Sequence, residues 1–223
     1  MIIPAQEWVY GRHGQSASNA AKVIAGGRVD TPLTAQGIVE AKTMAAAVAR
    51  LVKAQPRKQF AIYHSNLSRS RDTARFAAEA AGGLAMIERV ELRERDWGGW
   101  SGLPLEPQKT RAKNGEVPPD GESNLVFLNR VNDALVAILE EAAVTGSIPI
   151  IIAHRGNMSA FLRHYGRQGE VGNCELYSMK PIPATDGMPW QITHYDAANE
   201  TPVIFKTFIL DKSHGAADGV SMG

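Results

Sequence analysis

Short apolar runs alternate along this chain with longer stretches in which apolar residues recur every three or four positions. Glu7 to Gly11 reads as a first strand, and it ends in a sharp polar turn, Arg12-His13-Gly14-Gln15-Ser16, after which a helix is expected. Gly26-Gly27 and Thr31-Pro32 mark a loop. Ile38, Ala41, Met44, Ala45, Val48, Leu51 and Val52 then follow at helical spacing, with Thr34 as N-cap and Pro56 just beyond the end. Phe60 to Tyr63 reads as a strand, Ser68 to Ala81 as a helix closed by Gly82-Gly83, and Ala85 to Leu92 as another strand. Gly98 to Gly121 is rich in Gly, Pro and charge, which predicts a loop. Glu122 to Ala143 is helical, with Val126, Val131, Leu135, Ile138 and Leu139 on one side. Pro149 interrupts the next apolar run, leaving Ile150 to Ala153 as a fully apolar strand of the kind found in sheets covered on both faces. A short helix over Gly156 to Tyr165 and strands at Glu175–Lys180, Trp190–Tyr195 and Val203–Leu210 complete the pattern; the small, polar tail after Asp211 is expected to fray.

Strands alternating with helical patterns predict an α/β sandwich, a class whose ligands bind beyond the carboxyl ends of strands. The segments Arg12-His13-Gly14, His64 to Arg69 and His154-Arg155-Gly156 all follow strands, so the topology brings them to one sheet edge. Composition narrows the picture. The 223 residues suit one domain, 1–223, with an insertion at about 103–121, and the 44% hydrophobic fraction, about 98 residues, is enough for a core. The charges nearly cancel, 24 − 23 = +1, so nothing in the overall balance draws the chain to nucleic acid or an anionic membrane. Cys174 stands alone, which excludes an internal disulfide framework and a Cys-pair zinc site. The N-terminus lacks a secretory pattern, no run approaches a membrane span, and no period of 20–50 residues repeats. The expectation is a soluble cytoplasmic protein.

Arg12-His13-Gly14 puts a His and an Arg at the mouth of a strand-to-helix turn, where Gly14 permits close approach. A neutral imidazole can attack phosphorus and form a phosphohistidine. Fixed cations must then meet the phosphoryl charge, and Arg does this best through its planar fork. Arg12 and Arg69 are placed for that, His154 adds a donor, and Glu94 is placed to protonate the leaving alkoxide. Alone, each of these reads as an ordinary structural residue, and Glu94-Arg95 as a solvated pair worth about 0–1 kcal/mol. The conjunction and its order carry the argument.

At these residues the chain resembles the histidine phosphatase superfamily, the phosphoglycerate mutase-like family. Arg12-His13-Gly14-Gln15-Ser16-Ala17-Ser18-Asn19 is similar to its Arg-His-Gly-x-Ser-x-x-Asn signature, and Asp30-Thr31-Pro32-Leu33-Thr34-Ala35-Gln36-Gly37 to its Asp-x-Pro-Leu-Thr-x-x-Gly block. Ser65 to Ala74 matches Ser-x-Leu-x-Arg-x-x-x-Thr-Ala, Leu92 to Gly102 matches Leu-x-Glu-x-x-x-Gly-x-x-x-Gly, and Ile151 to His154 resembles the second-histidine block. The resemblance implies a three-layer α/β/α sandwich with a mostly parallel central sheet, needing no metal or other cofactor and acting on a small phosphorylated substrate. It implies His13 as nucleophile, Glu94 as proton donor, and Arg12, Arg69 and His154 as the phosphate pocket, with Asn19 and Gln15 as secondary polar contacts. Asp96 is the nearest rival to Glu94.

The chain departs from the family in places. Arg155 stands between His154 and Gly156 where the family usually reads His-Gly; it adds a cation to the site or shifts the helix start. Gln15 replaces the Glu of many members, and His64 precedes Ser65 where small residues are common, as a pocket-wall or structural residue. Mutase-type members are expected to carry a hydroxyl beside a Gly after Asn19, an aromatic after that Gly, and a larger basic insertion after the acid block. Ile24-Ala25-Gly26-Gly27 lacks the first two, and Leu103 to Pro119 is short with no paired arginines, although Glu94-Arg95 is mutase-like. The balance favours a phosphomonoester phosphatase over a mutase, or over a binding module of the same fold. His164 at a helix end, His194 on a strand and His214 in the tail read as structural. Trp97, Trp100 and Trp190 read as core or pocket wall, and Lys109, Arg111 and Lys113 as a solvated run or a cover over the pocket.

Overall fold

The computed structural model describes residues 2–169, 171–183, 188–195, 203–204 and 209–210. In chain order the strands are β1 (Trp8–Arg12), β2 (Gln59–His64), β3 (Ala85–Glu88), β4 (Ser147–Ala153), β5 (Arg167–Gln168), β6 (Leu176–Pro181), β7 (Trp190–Tyr195), β8 (Val203–Ile204) and β9 (Ile209–Leu210). The helices are α1 (Ala17–Ala20), α2 (Ala35–Lys53), α3 (Ser68–Ala80), α4 (Leu105–Lys113), α5 (Asn124–Thr145) and α6 (Arg155–His164). The main sheet has the order β3-β2-β4-β1-β6-β7-β8. β3, β2, β4 and β1 run parallel, and β6, β7 and β8 then pair antiparallel in succession, so five of the seven strands point the same way.

Alternation along the strands sorts the core into two halves. Tyr10, Tyr63 and Ile151 pack with Leu135, Ile138 and Leu139 of α5 and Phe161 of α6 on one face. Val9, Ile62, Ile150 and Ile152 pack with Met44, Val48 and Leu51 of α2 and Ala74 and Ala77 of α3 on the other. The result is the expected three-layer α/β/α sandwich with a mostly parallel sheet. Strand β4, covered by both helical layers, is buried along its whole length, and each fully buried Ile there is worth about 1.5–3 kcal/mol. Helix boundaries follow their caps: Thr34 Oγ1 accepts from Gly37 N–H at 3.0 Å, and Ser123 Oγ from Val126 N–H at 3.2 Å.

The sheet and the sequence pattern part in several places. β4 begins at Ser147 and includes Pro149; β1 pairs with β4 only from Val9 opposite Ile150, so on that side no ladder bond is lost to the proline. The strand expected over 85–92 stops at Glu88, because its partner β2 ends at His64; Arg89 N–H caps the His64 carbonyl at 2.8 Å and a 3-10 turn follows over Val90–Leu92. The loop expected over 98–121 contains a 3-10 turn, Gly98–Trp100, and the helix α4. Its weak local pattern is completed by tertiary contact, since Leu105 and Ala112 pack with Ile24, Trp97 and Trp100. Of the strand expected over 203–210, residues 203–204 join β7 while 209–210 pair with β5 in a separate two-stranded sheet. His214 and the rest of the tail after Asp211 lie outside the described residues.

Candidate active site

Because β1, β2 and β4 are parallel neighbours, their carboxyl ends open on one edge of the sheet. The β1–β4 ladder continues into the turn, where His13 N–H donates to the Ala153 carbonyl at 3.0 Å. His13 is buried, and its Nδ1 lies 2.7 Å from the Gly14 carbonyl oxygen. A carbonyl only accepts, so that contact puts a proton on Nδ1 and leaves Nε2 with a free lone pair in the neutral ring. Burial lowers the His13 pKa well below the ordinary imidazole value, and the charges of Arg69 and Arg12 lower it further, against the opposing Gly14 contact. Gly14 N–H is itself held by Thr73 Oγ1 at 3.1 Å. Only glycine fits here: a Cβ at residue 14 would stand 2.4 Å from the Gly37 carbonyl oxygen at the start of α2.

The other predicted residues converge on His13. The rings of His13 and His154 lie 5.0 Å apart, centroid to centroid. His154 is fully buried at the mouth of α6, with Nε2 2.9 Å from Ser65 Oγ and Nδ1 without a partner. Burial, then His13, Arg69 and Arg12, hold its pKa well below the usual range. Arg69, in the first turn of α3, is buried and donates to the Gly26 carbonyl at 2.8 Å; Asp30 lies 3.8 Å away and also accepts from the Ser68 N–H and hydroxyl. Arg12 donates through Nη1 to the Val171 carbonyl at 2.8 Å, while its Nε is buried without a partner. Burial lowers the pKa of both guanidinium groups, yet Arg starts so high that both stay charged. Asn19 accepts through Oδ1 from Ser16 N–H at 3.2 Å, so its amide NH2 remains available to a ligand. Gln15 Oε1 accepts from the Thr34 hydroxyl at 2.9 Å, which ties the turn to the cap of α2 and leaves the Gln15 amide NH2 as its donor.

Glu94 and Asp96 separate cleanly. Glu94 accepts from Arg95 N–H at 2.9 Å and from Gly156 N–H at 3.1 Å, and the second bond joins it to the turn that carries His154. Asp96 points to the surface, in a two-pronged ion pair with Arg28 at 3.0 Å. Burial raises the Asp96 pKa, but the Arg28 and Gly98 hydrogen bonds outweigh it and hold the carboxyl below the usual carboxylate value. Arg95 is spent on structure, donating to the Glu122 carbonyl at 2.8 and 2.9 Å and to Asn124 Oδ1 at 2.7 Å. Among the described residues, no group of three or more His, Cys, Asp or Glu is arranged to hold a metal ion.

Residues 9–180 match the sequence pattern of the histidine phosphatase superfamily, branch 1. The chain belongs to this superfamily. It is 31% identical over 166 residues, 69% of this chain and 76% of the other, to a 2,3-bisphosphoglycerate-dependent phosphoglycerate mutase of Methylorubrum populi. In fold it is similar to a phosphoglycerate mutase from Bacillus anthracis, with TM-score 0.68, 18% identity, and coverage of 87% of this chain and 95% of that one. It is likewise similar to a mycobacterial glucosyl-3-phosphoglycerate phosphatase, with TM-score 0.65, 22% identity, and coverage of 85% and 97%.

Within this superfamily frame, several residues matter that the sequence did not single out. Asn173 Nδ2 donates to the His13 carbonyl at 3.0 Å and reaches Asn19 Oδ1 at 3.4 Å, fixing the nucleophile's backbone and the orientation of the Asn19 amide together. The same segment returns the Arg12 backbone, since Arg12 N–H meets the Glu175 carbonyl and Cys174 N–H the Arg12 carbonyl. Arg130 of α5 clamps the acid segment, donating to the Glu91 and Arg93 carbonyls at 2.6 and 3.0 Å while both oxygens of Glu122 bind it at 2.7 Å. An Asn beside the lone Cys174 is the one local signal for the first; nothing local marks the second. His64 is buried against the Ser65 carbonyl, His194 is half-buried on β7 and His164 ends α6. Trp190 is core, and Trp100 is buried beneath the Arg111 guanidinium, 4.4 Å from its ring centre. Arg111 is thus held within its own segment, stacked on Trp100 and paired with Glu116 at 2.8 Å.

Proposed function

We propose that this protein hydrolyses phosphomonoesters through a phosphohistidine on His13. The observation that carries the reading is the His13 ring itself: Nδ1 is engaged by the Gly14 carbonyl, burial with Arg69 and Arg12 disfavours the protonated ring, and Arg12, Arg69 and His154 stand beside it. Nε2 attacks phosphorus, the bond to the ester oxygen breaks, and Glu94 gives that oxygen its proton. Arg12, Arg69, His154 Nδ1–H and the Asn19 amide hold the phosphoryl oxygens as charge shifts between them. Water then attacks the phosphohistidine, Glu94 takes the water proton back, and phosphate leaves.

Hydrolysis is favoured over mutase chemistry by the fate of Arg95. It belongs to the mutase-like pair Glu94-Arg95, and its guanidinium is fully engaged at the start of α5. The mutase reading is supported by the 31% identity to the bisphosphoglycerate-dependent enzyme. One experiment divides them: incubate the protein with a phosphoglycerate, with and without 2,3-bisphosphoglycerate, and follow released phosphate and isomerised product together. Phosphate release that needs no primer and survives chelator supports the hydrolase. Primer-dependent isomerisation outrunning release assigns the mutase. Neither activity, on this substrate or on aryl phosphates, returns the chain to a phosphate-binding module.

A further inference from the structure

The site holds more positive charge than one phosphoryl group uses. Arg12 and Arg69 are braced by backbone carbonyls, and Arg28, Arg95 and Arg130 by carboxylates or carbonyls. Arg93 and Arg155 are different. Among the described residues neither guanidinium makes a hydrogen bond or ion pair, and Arg93 Nε is buried without a partner. A buried donor left unpaired is costly, more so when charged. Both groups also face like charge: Arg155 acts on Arg12 and Arg93 on Arg69, in each case adding to the lowering that burial begins, although Arg93 also feels the Asp96 carboxylate, which is itself paired with Arg28.

Their location gives the cost a use. Glu94 marks the side of the pocket where the ester oxygen departs. Arg93 is its chain neighbour, with a carbonyl pinned by Arg130 at 3.0 Å. Arg155 lies between His154 and Gly156, whose N–H binds Glu94 at 3.1 Å. Arg93 and Arg155 thus flank the two chain segments that hold Glu94, and each lies within electrostatic reach of a pocket arginine, Arg155 of Arg12 and Arg93 of Arg69. We propose that Arg93 and Arg155 form an oxyanion subsite for the alcohol half of the substrate, so that the phosphomonoester taken here carries a second anionic group on its leaving alcohol. Arg155, where the superfamily pattern usually has glycine, is then a specificity-determining residue. The proposal rests on the reading of His13 as phosphoryl acceptor and Glu94 as acid.

The test uses phosphonates, which bind but cannot be hydrolysed. Calorimetry at fixed pH and salt compares 3-phosphonopropionate with propylphosphonate, which lacks only the carboxylate, and with ethane-1,2-bisphosphonate. One charge-assisted contact corresponds to about a tenfold preference for the doubly anionic ligands. Arg93→Gln and Arg155→Gln should each bring the affinity ratio toward 1, with unchanged melting temperature showing that the fold is retained. Whichever doubly anionic ligand binds tighter tells carboxylate from phosphate. A wild-type ratio near 1, or a ratio that neither variant moves, overturns the subsite. If propylphosphonate binds and aryl phosphates are hydrolysed while the ratio is 1, only the subsite fails. If no phosphonate binds and no aryl phosphate is hydrolysed, the parent reading fails with it.

Discussion

Glu94 keeps its place because residue 156 has no side chain. A Cβ there would stand 2.0 Å from Glu94 Oε1 and 2.9 Å from Phe127 Cζ, where ordinary contact begins at 3.4 Å. Gly156→Ala must therefore move the carboxylate, or the turn carrying His154, by 3.4 − 2.0 = 1.4 Å. Either movement breaks the 3.1 Å bond from Gly156 N–H. The backbone works the other way, since Gly→Ala within a helix stabilises by about 0.5–1 kcal/mol, so melting temperature should change little. A misplacement of about 1 Å can cost about 10²-fold in rate, and a general acid contributes about 10²–10⁴-fold. The expected outcome is a fall of about 10²-fold in kcat/KM on glycerol phosphate, whose alkoxide needs the proton. On 4-nitrophenyl phosphate, whose phenolate leaves unaided, the fall should stay under about tenfold. Glu94→Gln, assayed alongside, should show the same split. Equal losses on both substrates would refute the argument, and a selective loss in Asp96→Asn alone would move the acid to Asp96.

Other outcomes follow from the same geometry. His13→Ala should abolish turnover and the acid-labile phosphoenzyme seen on rapid quenching; retained label would remove His13 from its role. Asn173→Ala frees the Asn19 amide and the His13 carbonyl, and losing that pair of contacts should weaken vanadate inhibition by about tenfold, as for one or two hydrogen bonds of about 1 kcal/mol each; unchanged inhibition would show that Asn173 only fills space. Burial and then Arg69 and Arg12 depress the His13 pKa, so the free enzyme should show no acid-limb inflection near about 6.5 in kcat/KM once substrate ionisation is allowed for. The same depression in His13 and His154 has a stability consequence. Unfolded imidazoles take up protons below about 6.5 while the folded ones resist, so stability is full above that pH and declines as pH falls below it. Melting curves at stepped pH check this, and an apo-protein equally stable on both sides of that value would contradict it.

What the sequence alone determined is what neighbours along a chain can express. The helical spacing of Ile38 to Val52, the cap at Thr34 and the apolar run ending at Ala153 are local, and the structure has them in place. Arg12, His13, Arg69 and His154 were legible as candidates because each sits in a short motif at or just beyond a parallel strand, and such strands must deliver their ends to one edge; Glu94 was legible by its motif alone, since a 3-10 turn separates it from the end of β3. Tertiary structure decided the rest. Whether residues 98–121 contain a helix depended on Trp97, Trp100 and Ile24 lying beneath it. Whether Glu94 or Asp96 faces the pocket depended on Gly156 and Arg28 competing from distant parts of the chain. Gln15 turned to Thr34, and Asn173 reached the His13 carbonyl across 160 positions. These contacts join residues far apart along the chain, and two of them, from Gly156 N–H and to the His13 carbonyl, use backbone groups that nearly every residue type carries alike, so no local pattern of side chains announces them.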